Sequence, residues 1–259
     1  MTLPKNRFKA SLAARRHQLG LWCTLSDAYA MEIVAGSGFD WLLLDTEHSP
    51  ADPVSMLSLL QAVASYDVAP VVRPAFNDTV LIKRLLDIGA QTLLIPFVQS
   101  AEEARRAVAA MRYPPHGIRG YSGATRANRF GRAKDYATRA AEELCLLVQV
   151  ETQTALDAVE EIAAVDGVDG IFIGPSDLAA SLGHVGAPGH PEVKAAIEGA
   201  ITRCVTAGKP VGLLSVDEIF ARRAIALGSA YTAVGVDATI LARTSENLAA
   251  KFRSDPSPQ

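Results

Sequence analysis

The sequence predicts an α/β chain in which eight strand-then-helix units close into a (β/α)8 barrel of the TIM type. Three observations carry that prediction. There are eight short apolar runs, a helical pattern recurs between them, and residues that cap helices stand where many of those patterns begin. The runs lack polar alternation, as strands buried on both faces do. A chain of 259 residues matches one such barrel, so a single domain over 1–259 is expected, with an N-terminal helix within 1–18 and a disordered tail over 253–259.

The elements follow in order. The basic opening segment MTLPKNRFKASLAARRHQLG has no continuous apolar stretch, so it reads as a packed helix and not as a secretory signal. LGLWCTL (19–25) is the first strand; Asp27 opens a helix over 27–36, with Gly36 and Gly38 at its end. FDWLLLD (39–45) is the second, and Asp52 starts the helix over 53–66. APVVRP (69–74) is the third, followed from Asn77 by a helix over 77–89 that Gly89 closes. TLLIPFV (92–98) is the fourth, and Ser100 caps 101–111. LCLLVQVE (144–151) is the fifth, with Thr154 opening 154–164. GIFIGP (170–175) is the sixth, followed by a helix over 191–207. PVGLLS (210–215) is the seventh, with Asp217 and Gly228 bounding 217–228. YTAVGVD (231–237) is the eighth, and the helix over 238–252 ends the pattern. Short polar side chains at these starts satisfy free N–H groups, and glycine at the ends takes the left-handed cap. A doubly wound open sheet fits less well, because no Gly-x-Gly-x-x-Gly turn follows any strand.

The stretch 112–136 (RYPPHGIRGYSGATRANRFGRAKDY) is long, basic and glycine-rich. It follows the fourth helix, so it belongs at the N-terminal end of strand five, opposite the face where barrels do chemistry.

Composition narrows the function. The net charge of −3 gives no reason to expect nucleic acid or a membrane surface, and no apolar run approaches the roughly 20 residues that span a bilayer. Cys23, Cys145 and Cys204 are odd in number and widely spaced. They read as buried thiols of a reducing cytoplasm, not as disulfides or a zinc site.

In a barrel the site forms where strands end. Those ends carry Asp45, Glu47 and His48 (strand two), Arg73 (three), Gln99 (four), Gln149 and Glu151 (five), Ser176 and Asp177 (six), Leu213, Leu214 and Ser215 (seven) and Asp237 (eight). Glu151 and Asp177 come from adjacent strands. Two carboxylates without a paired cation are unfavourable together unless a metal lies between them, and hard oxygen ligands suit Mg²⁺ or Mn²⁺. The plainer alternatives are an N-cap role for Asp177 and placement near a helix N-terminus for Glu151. Arg73 either belongs to a structural ion pair or meets an anionic substrate. His48 is a general base oriented by a carboxylate, for which Asp87 in KRLLDIG is a candidate, or a loop histidine satisfied by Asp45; Asp87 also reads as a solvated helix end. None of the lysines, at 5, 9, 83, 134, 194, 209 and 251, lies within a strand, so no Schiff base can form inside the barrel. There is no Gly-x-Ser-x-Gly elbow, no P-loop and no glycine-rich phosphate cradle after strands seven and eight.

Seven motifs in order, FDWLLLDTEHSP, PVVRP, LLDIGAQTLLIPFVQSAEEA, GIRGYSGATRANRFG, VQVETQTALD, IFIGPSDLAASLG and AVGVDATILAR, make the chain resemble the HpcH/HpaI aldolase family from about Leu19 to Phe252. The resemblance implies a barrel of the phosphoenolpyruvate/pyruvate-domain type and a class II, metal-dependent carbon–carbon lyase. Such an enzyme reversibly cleaves 4-hydroxy-2-oxo acids to pyruvate or hydroxypyruvate and an aldehyde. It implies Glu151 and Asp177 as ligands of Mg²⁺, Mn²⁺ or Co²⁺. His48 becomes the proton-transfer residue oriented by Asp87, and Asp45 a support of the metal's water shell. Arg73 becomes the group on the keto oxygen. Gln149, the backbone around Pro175, Ser176 and Asp177, and Leu214 become the substrate pocket. It further implies a homohexamer, often with the C-terminal helix exchanged between partners; the cytoplasmic location is the one expected from the thiols. The stretch GYSGATRANRFG departs from the family's usual GVGSALARASRWG-like sequence, so Tyr121 and Gly123 put the acceptor aldehyde in question, not the chemistry. Alternatives are a CoA-thioester lyase of the citramalyl/malyl type, for which no basic groove is evident, and a non-catalytic metabolite-binding barrel.

Overall fold

All eight apolar runs are strands. In the computed structural model, which describes residues 1–254, β1 (Gln18–Cys23), β2 (Trp41–Asp45), β3 (Ala69–Arg73), β4 (Thr92–Ile95), β5 (Cys145–Val150), β6 (Gly170–Ile173), β7 (Val211–Leu214) and β8 (Tyr231–Val236) close into a parallel barrel in sequence order. Twelve helices connect and flank them among the described residues: α1 (Arg7–Ala13), α2 (Ala28–Ala35), α3 (Pro53–Ala62), α4 (Thr79–Asp87), α5 (Ala101–Met111), α6 (Tyr136–Glu143), α7 (Gln153–Asp157), α8 (Val159–Ala163), α9 (Pro175–Ser181), α10 (Pro191–Thr206), α11 (Glu218–Ala226) and α12 (Asp237–Ser254).

Alternate residues of each strand feed two cores. Trp22, Trp41, Leu43, Val71, Leu94, Leu147, Phe172 and Tyr231 form one cluster inside the barrel. Leu42, Leu44, Val72, Leu93, Val148 and Ile171 join the larger layer between strands and helices. α1 closes the barrel floor: Phe8 is fully buried, edge-on to Trp41 and Tyr231 at 5.8 and 5.4 Å. Gly20 is needed there, since a Cβ would fall 2.1 Å from the Trp41 ring. The inward positions of β2 are therefore Trp41, Leu43 and Asp45, and those of β3 Ala69, Val71 and Arg73, paired in register. The polar residues take the last inward layer, at the strand C-termini.

Several boundaries differ from the sequence reading. β4 stops at Ile95 because Pro96 has no N–H for the ladder, and Phe97 turns to φ 53°. The helix expected over 154–164 is α7 and α8, broken at Ala158, and its cap is Thr152, not Thr154. Asp78, not Asn77, caps α4. Residues 53–66 split into α3 and a 3-10 turn at Val63–Ser65. Gly36 keeps a negative φ, leaving the left-handed turn to Gly38. α6 was not expected, because its buried face is only Tyr136 and Ala140, too narrow for an apolar period to register. The sequence predicts no helix over α9 either. Residues 253–254, expected in a disordered tail, are helical, since α12 continues through Ser254; the rest of that expected tail, 255–259, lies outside the described residues. The three cysteines are free and buried, as read. No helix among the described residues is long and apolar enough to cross a membrane.

Candidate active site

Asp45 ends the inward row of β2 and Arg73 that of β3, so strand register sets them side by side. Arg73 Nε and Nη2 donate to the two Asp45 oxygens at 2.8 and 2.6 Å, a bidentate pair with both residues at most 3% exposed. The Glu47 amide and Trp22 Nε1 donate to the same carboxylate at 3.0 and 3.2 Å. The Trp22 ring carries the guanidinium on its face at 4.6 Å. Burial works to raise the Asp45 carboxyl; the Arg73 hydrogen bonds and charge, the Glu47 amide and Trp22 overcome it, leaving it below the ordinary carboxylate value. Four donors engage the oxygens of Asp45, and the two shortest of these bonds come from Arg73.

Glu47 leans on the third nitrogen of the same guanidinium. Arg73 Nη1 lies 2.7 Å from Glu47 Oε2. The contact is one of charge without an aligned hydrogen bond, and this buried oxygen has no hydrogen-bond partner. Burial pushes the Glu47 carboxyl up, Arg73 and His48 pull it down, and Asp45 and Asp177 push it further up. The sequence places Glu47 on the strand rim without assigning it a role. Its signal was its place one residue before His48.

Glu151 follows β5 and is 2% exposed. Gln149 Nε2 donates a short hydrogen bond to its Oε2, and the Phe97 amide donates to Oε1 at 2.8 Å. Phe97 holds that amide in place with a left-handed φ of 53°, rare for an aromatic residue and a local strain of about 1–3 kcal/mol. Nothing in the sequence except Pro96 hinted at it. Burial first, then the Asp177 and Glu47 charges, raise the Glu151 carboxyl to about 7, against the pull of Gln149 and the Phe97 amide.

Asp177 is exposed in the first turn of α9, whose N-cap is Gly174. It is not an N-cap itself. Pro175 is half-buried, Ser176 exposed, and Leu214 half-buried at the end of β7. The N–H groups of Ser176 and Asp177 precede the first bond of α9, Leu178 N to Gly174 O at 3.0 Å.

Three carboxylates thus face one another, and one is driven toward protonation at neutral pH. Beside them, Gln149 Oε1 is buried without a partner. A hard divalent cation resolves both features, and the donors are all oxygen, so these residues fit Mg²⁺ or Mn²⁺. Gly174 keeps this corner open: a Cβ there would lie 2.5 Å from Glu151 Oε2 and 2.9 Å from Gln149 Nε2. Its φ of −89° suits any residue, so Gly174→Ala acts by crowding alone. The expected result is a ten- to hundredfold loss of kcat/KM with about 1–3 kcal/mol of destabilisation, read by steady-state kinetics and urea unfolding.

His48 is exposed and makes no hydrogen bond among the described residues; it interacts electrostatically with Glu47. Asp45 does not satisfy it. Asp87 does not orient it within this chain, contrary to expectation. α4 returns antiparallel to β3, so its last residue stands at the N-terminal end of the strands while His48 follows the C-terminal end of β2. There Arg119, fully buried, donates to Asp87 at 2.7 Å, and the Ala127 amide reaches the Asp87 carbonyl at 3.1 Å. Segment 112–136 therefore packs on the face predicted for it. A 360 Å³ cavity lined by Asn6, Gln91, Arg126 and Tyr136 opens on that face and holds none of the rim residues. Asp237 accepts from the Thr24, Leu25 and Ala238 amides at 2.7–3.1 Å, fastening the loop after β1 instead of joining the site.

Comparison with known proteins shows the family to which the chain belongs. Residues 18–244 match the family model described as HpcH/HpaI aldolase/citrate lyase. A "Pyruvate aldolase" of Rhizobium etli is 64% identical over 252 residues, covering 97% of this chain and 99% of the relative. A "Hydroxypyruvate/pyruvate aldolase" of Sagittula stellata is 57% identical over 241 residues, covering 93% and 95%. The crystal structure of an HpcH/HpaI aldolase/citrate lyase family protein from Burkholderia cenocepacia J2315 superposes with a TM-score of 0.92 at 38% identity, covering 96% of this chain and 100% of that one.

Proposed function

Because the chain belongs to the HpcH/HpaI aldolase/citrate lyase family, we propose that its strand-end cluster of Arg73, Glu151, Asp177 and His48 carries out a metal-assisted aldol reaction. The enzyme is a carbon–carbon lyase, cleaving 4-hydroxy-2-oxo acids reversibly to pyruvate and an aldehyde. Its relatives are named as aldolases, which favours this over CoA-thioester cleavage and over a binding barrel. The observation that carries the metal reading is the buried Glu151 carboxylate beside those of Asp177 and Glu47, with the unpartnered Gln149 Oε1 next to it.

Glu151 and Asp177 would hold the divalent cation, with Gln149 Oε1 free to meet the ion or the substrate. When bound, the ion supplies Lewis acidity at the 2-oxo group. The remaining work falls to the protein. Arg73, fixed by Asp45 and Trp22, keeps its charge where negative charge develops on the C2 oxygen as the C3–C4 bond breaks. His48, without a hydrogen bond among the described residues, takes the proton from the C4 hydroxyl; the C3–C4 bond breaks, the aldehyde leaves, and the imidazolium returns that proton to C3 of the enolate to give pyruvate. Within one chain the carboxylate beside His48 is Glu47. The backbone around Pro175, Ser176 and Asp177 receives the substrate carboxylate, through the Ser176 and Asp177 N–H groups, and Leu214 borders the acceptor. Hydroxypyruvate is an alternative donor. α12 supports assembly into a hexamer: Ile240, Leu241, Leu248 and Phe252 are all exposed along it, an apolar surface that a partner copy would cover.

Pyruvate release from 4-hydroxy-2-oxoheptanedioate, with Mg²⁺, Mn²⁺ or Co²⁺ and with EDTA, tests the reading. Metal-dependent release is expected. Turnover unaffected by the chelator would reject the metal.

A further inference from the structure

The turn between α9 and α10 gathers three ligand-type side chains that the aldol chemistry leaves unused. One ligand atom from each of His184, His190 and Glu192 lies within 4.8 Å of the other two. His184 Nε2 stands 2.7 Å from Glu192 Oε2. The two imidazoles stack with centroids 3.6 Å apart. The backbone builds this grouping. His184 N donates to Ala179 O at 2.7 Å, Ala187 N to His184 O at 2.9 Å, and His190 N to Ala187 O at 2.9 Å. These turns tie one histidine to α9 and the other to the start of α10, where His190 is the N-cap. Gly183 and Gly186, at φ 84° and 76°, make the bends.

We propose that His184, His190 and Glu192 form a second metal site, for a borderline ion such as Zn²⁺ or Co²⁺. Two imidazoles and one carboxylate, with positions left for water, suit these ions. Mg²⁺ prefers all-oxygen donors and is not recruited. The chain then sorts two ions by donor chemistry: oxygen at Glu151 and Asp177, nitrogen and oxygen here. The ring planes are 18° from parallel, so one imidazole turns about its χ2 for both lone pairs to converge. The contacts given up are Glu192 N to His190 Nδ1 at 3.3 Å and the His184 Nε2–Glu192 Oε2 hydrogen bond at 2.7 Å, whose proton the ion replaces. Both histidines are half-buried and Glu192 is exposed, so an ion has access. Lys194, the cation on the next turn of α10, is held by Asp217 at 2.7 Å. Among the described residues these three side chains share no hydrogen bond or ion pair with Glu47, Arg73, Glu151 or Asp177. The buried thiols of Cys23, Cys145 and Cys204 do not compete for the ion. An ion here fastens the loop 182–190 between α9, which carries Asp177, and α10. This inference does not depend on the aldolase reading.

The test is Zn²⁺ titration of tag-free Glu151→Gln/Asp177→Asn protein in excess Mg²⁺, by calorimetry and thermal unfolding. Wild type with its first site saturated by Mg²⁺ serves as the parallel sample should the double variant not fold. One Zn²⁺ per chain is expected, unaffected by Mg²⁺, with Tm raised by about 5 °C at a hundredfold excess over Kd. His184→Ala should weaken binding at least tenfold and remove the rise in Tm. Glu192→Gln should weaken binding less. Absence of stoichiometric Zn²⁺, or binding unchanged in His184→Ala, overturns the site.

Discussion

Glu151→Gln is expected to lower aldol cleavage by on the order of a thousandfold while making the metal-free protein more stable at alkaline pH. The first effect follows from losing a ligand of the ion that polarises the substrate, a contribution of several kcal/mol. The second follows from burial. The Glu151 carboxyl rises from 4.5 to about 7 on folding, so the folded state binds the extra proton. Stability is then full below the unfolded value and falls as pH rises from 4.5 through about 7, by roughly 3 kcal/mol. Chelated wild-type protein should lose Tm between pH 5 and 8, and Glu151→Gln should flatten that slope. Added Mg²⁺ should restore the wild type at pH 8 and leave the variant unmoved. A wild-type Tm indifferent to pH and to Mg²⁺ across this range would reject the account.

The second large effect lies at the Asp45–Arg73 pair. Asp45→Ala leaves a guanidinium that is 3% exposed with only Glu47 as its counter-ion. Breaking one side of a buried ion pair typically costs about 3–5 kcal/mol, a large share of the 5–15 kcal/mol that ordinarily separates folded from unfolded. Turnover should fall on the order of a hundredfold, because Arg73 loses the fork that aims it. Arg73→Lys should be nearly as damaging, since one ammonium cannot span both Asp45 oxygens or stack on Trp22. Folding depresses the Asp45 carboxyl, so its contribution is present above 3.8 and is lost as pH falls through the lower folded value. Asp45→Ala should therefore be less acid-labile than the wild type, relative to its own stability at neutral pH. Urea unfolding at pH 7 and pH 3 with steady-state kinetics reads both effects. A change in stability below about 1 kcal/mol would show that the pair is not what holds the arginine.

The strand-end cluster illustrates how far sequence reaches. The motifs DTEH, VVRP, VQVE and GPSD each end or follow an apolar run, and a barrel sends every run's end to one rim. Asp45, Arg73, Gln149 and Glu151 could therefore be assigned to one place without coordinates. Asp87 could not. Its motif matched, but its place at the end of α4 puts it across the barrel, paired with Arg119 from a segment 32 residues away. Spacing along a chain carries no information about which long-range partner claims a carboxylate.

By itself, the sequence determined the eight strands, most of the helices between them, the buried thiols and the rim. Those depend on local periodicity, capping and the fixed direction of parallel strands. Only the tertiary structure decided that Asp45 is spent on Arg73, that Phe97 takes a left-handed turn to hold Glu151, and that His184 and His190 stack. These outcomes depend on which donors reach a buried acceptor first, a three-dimensional competition that no local pattern records.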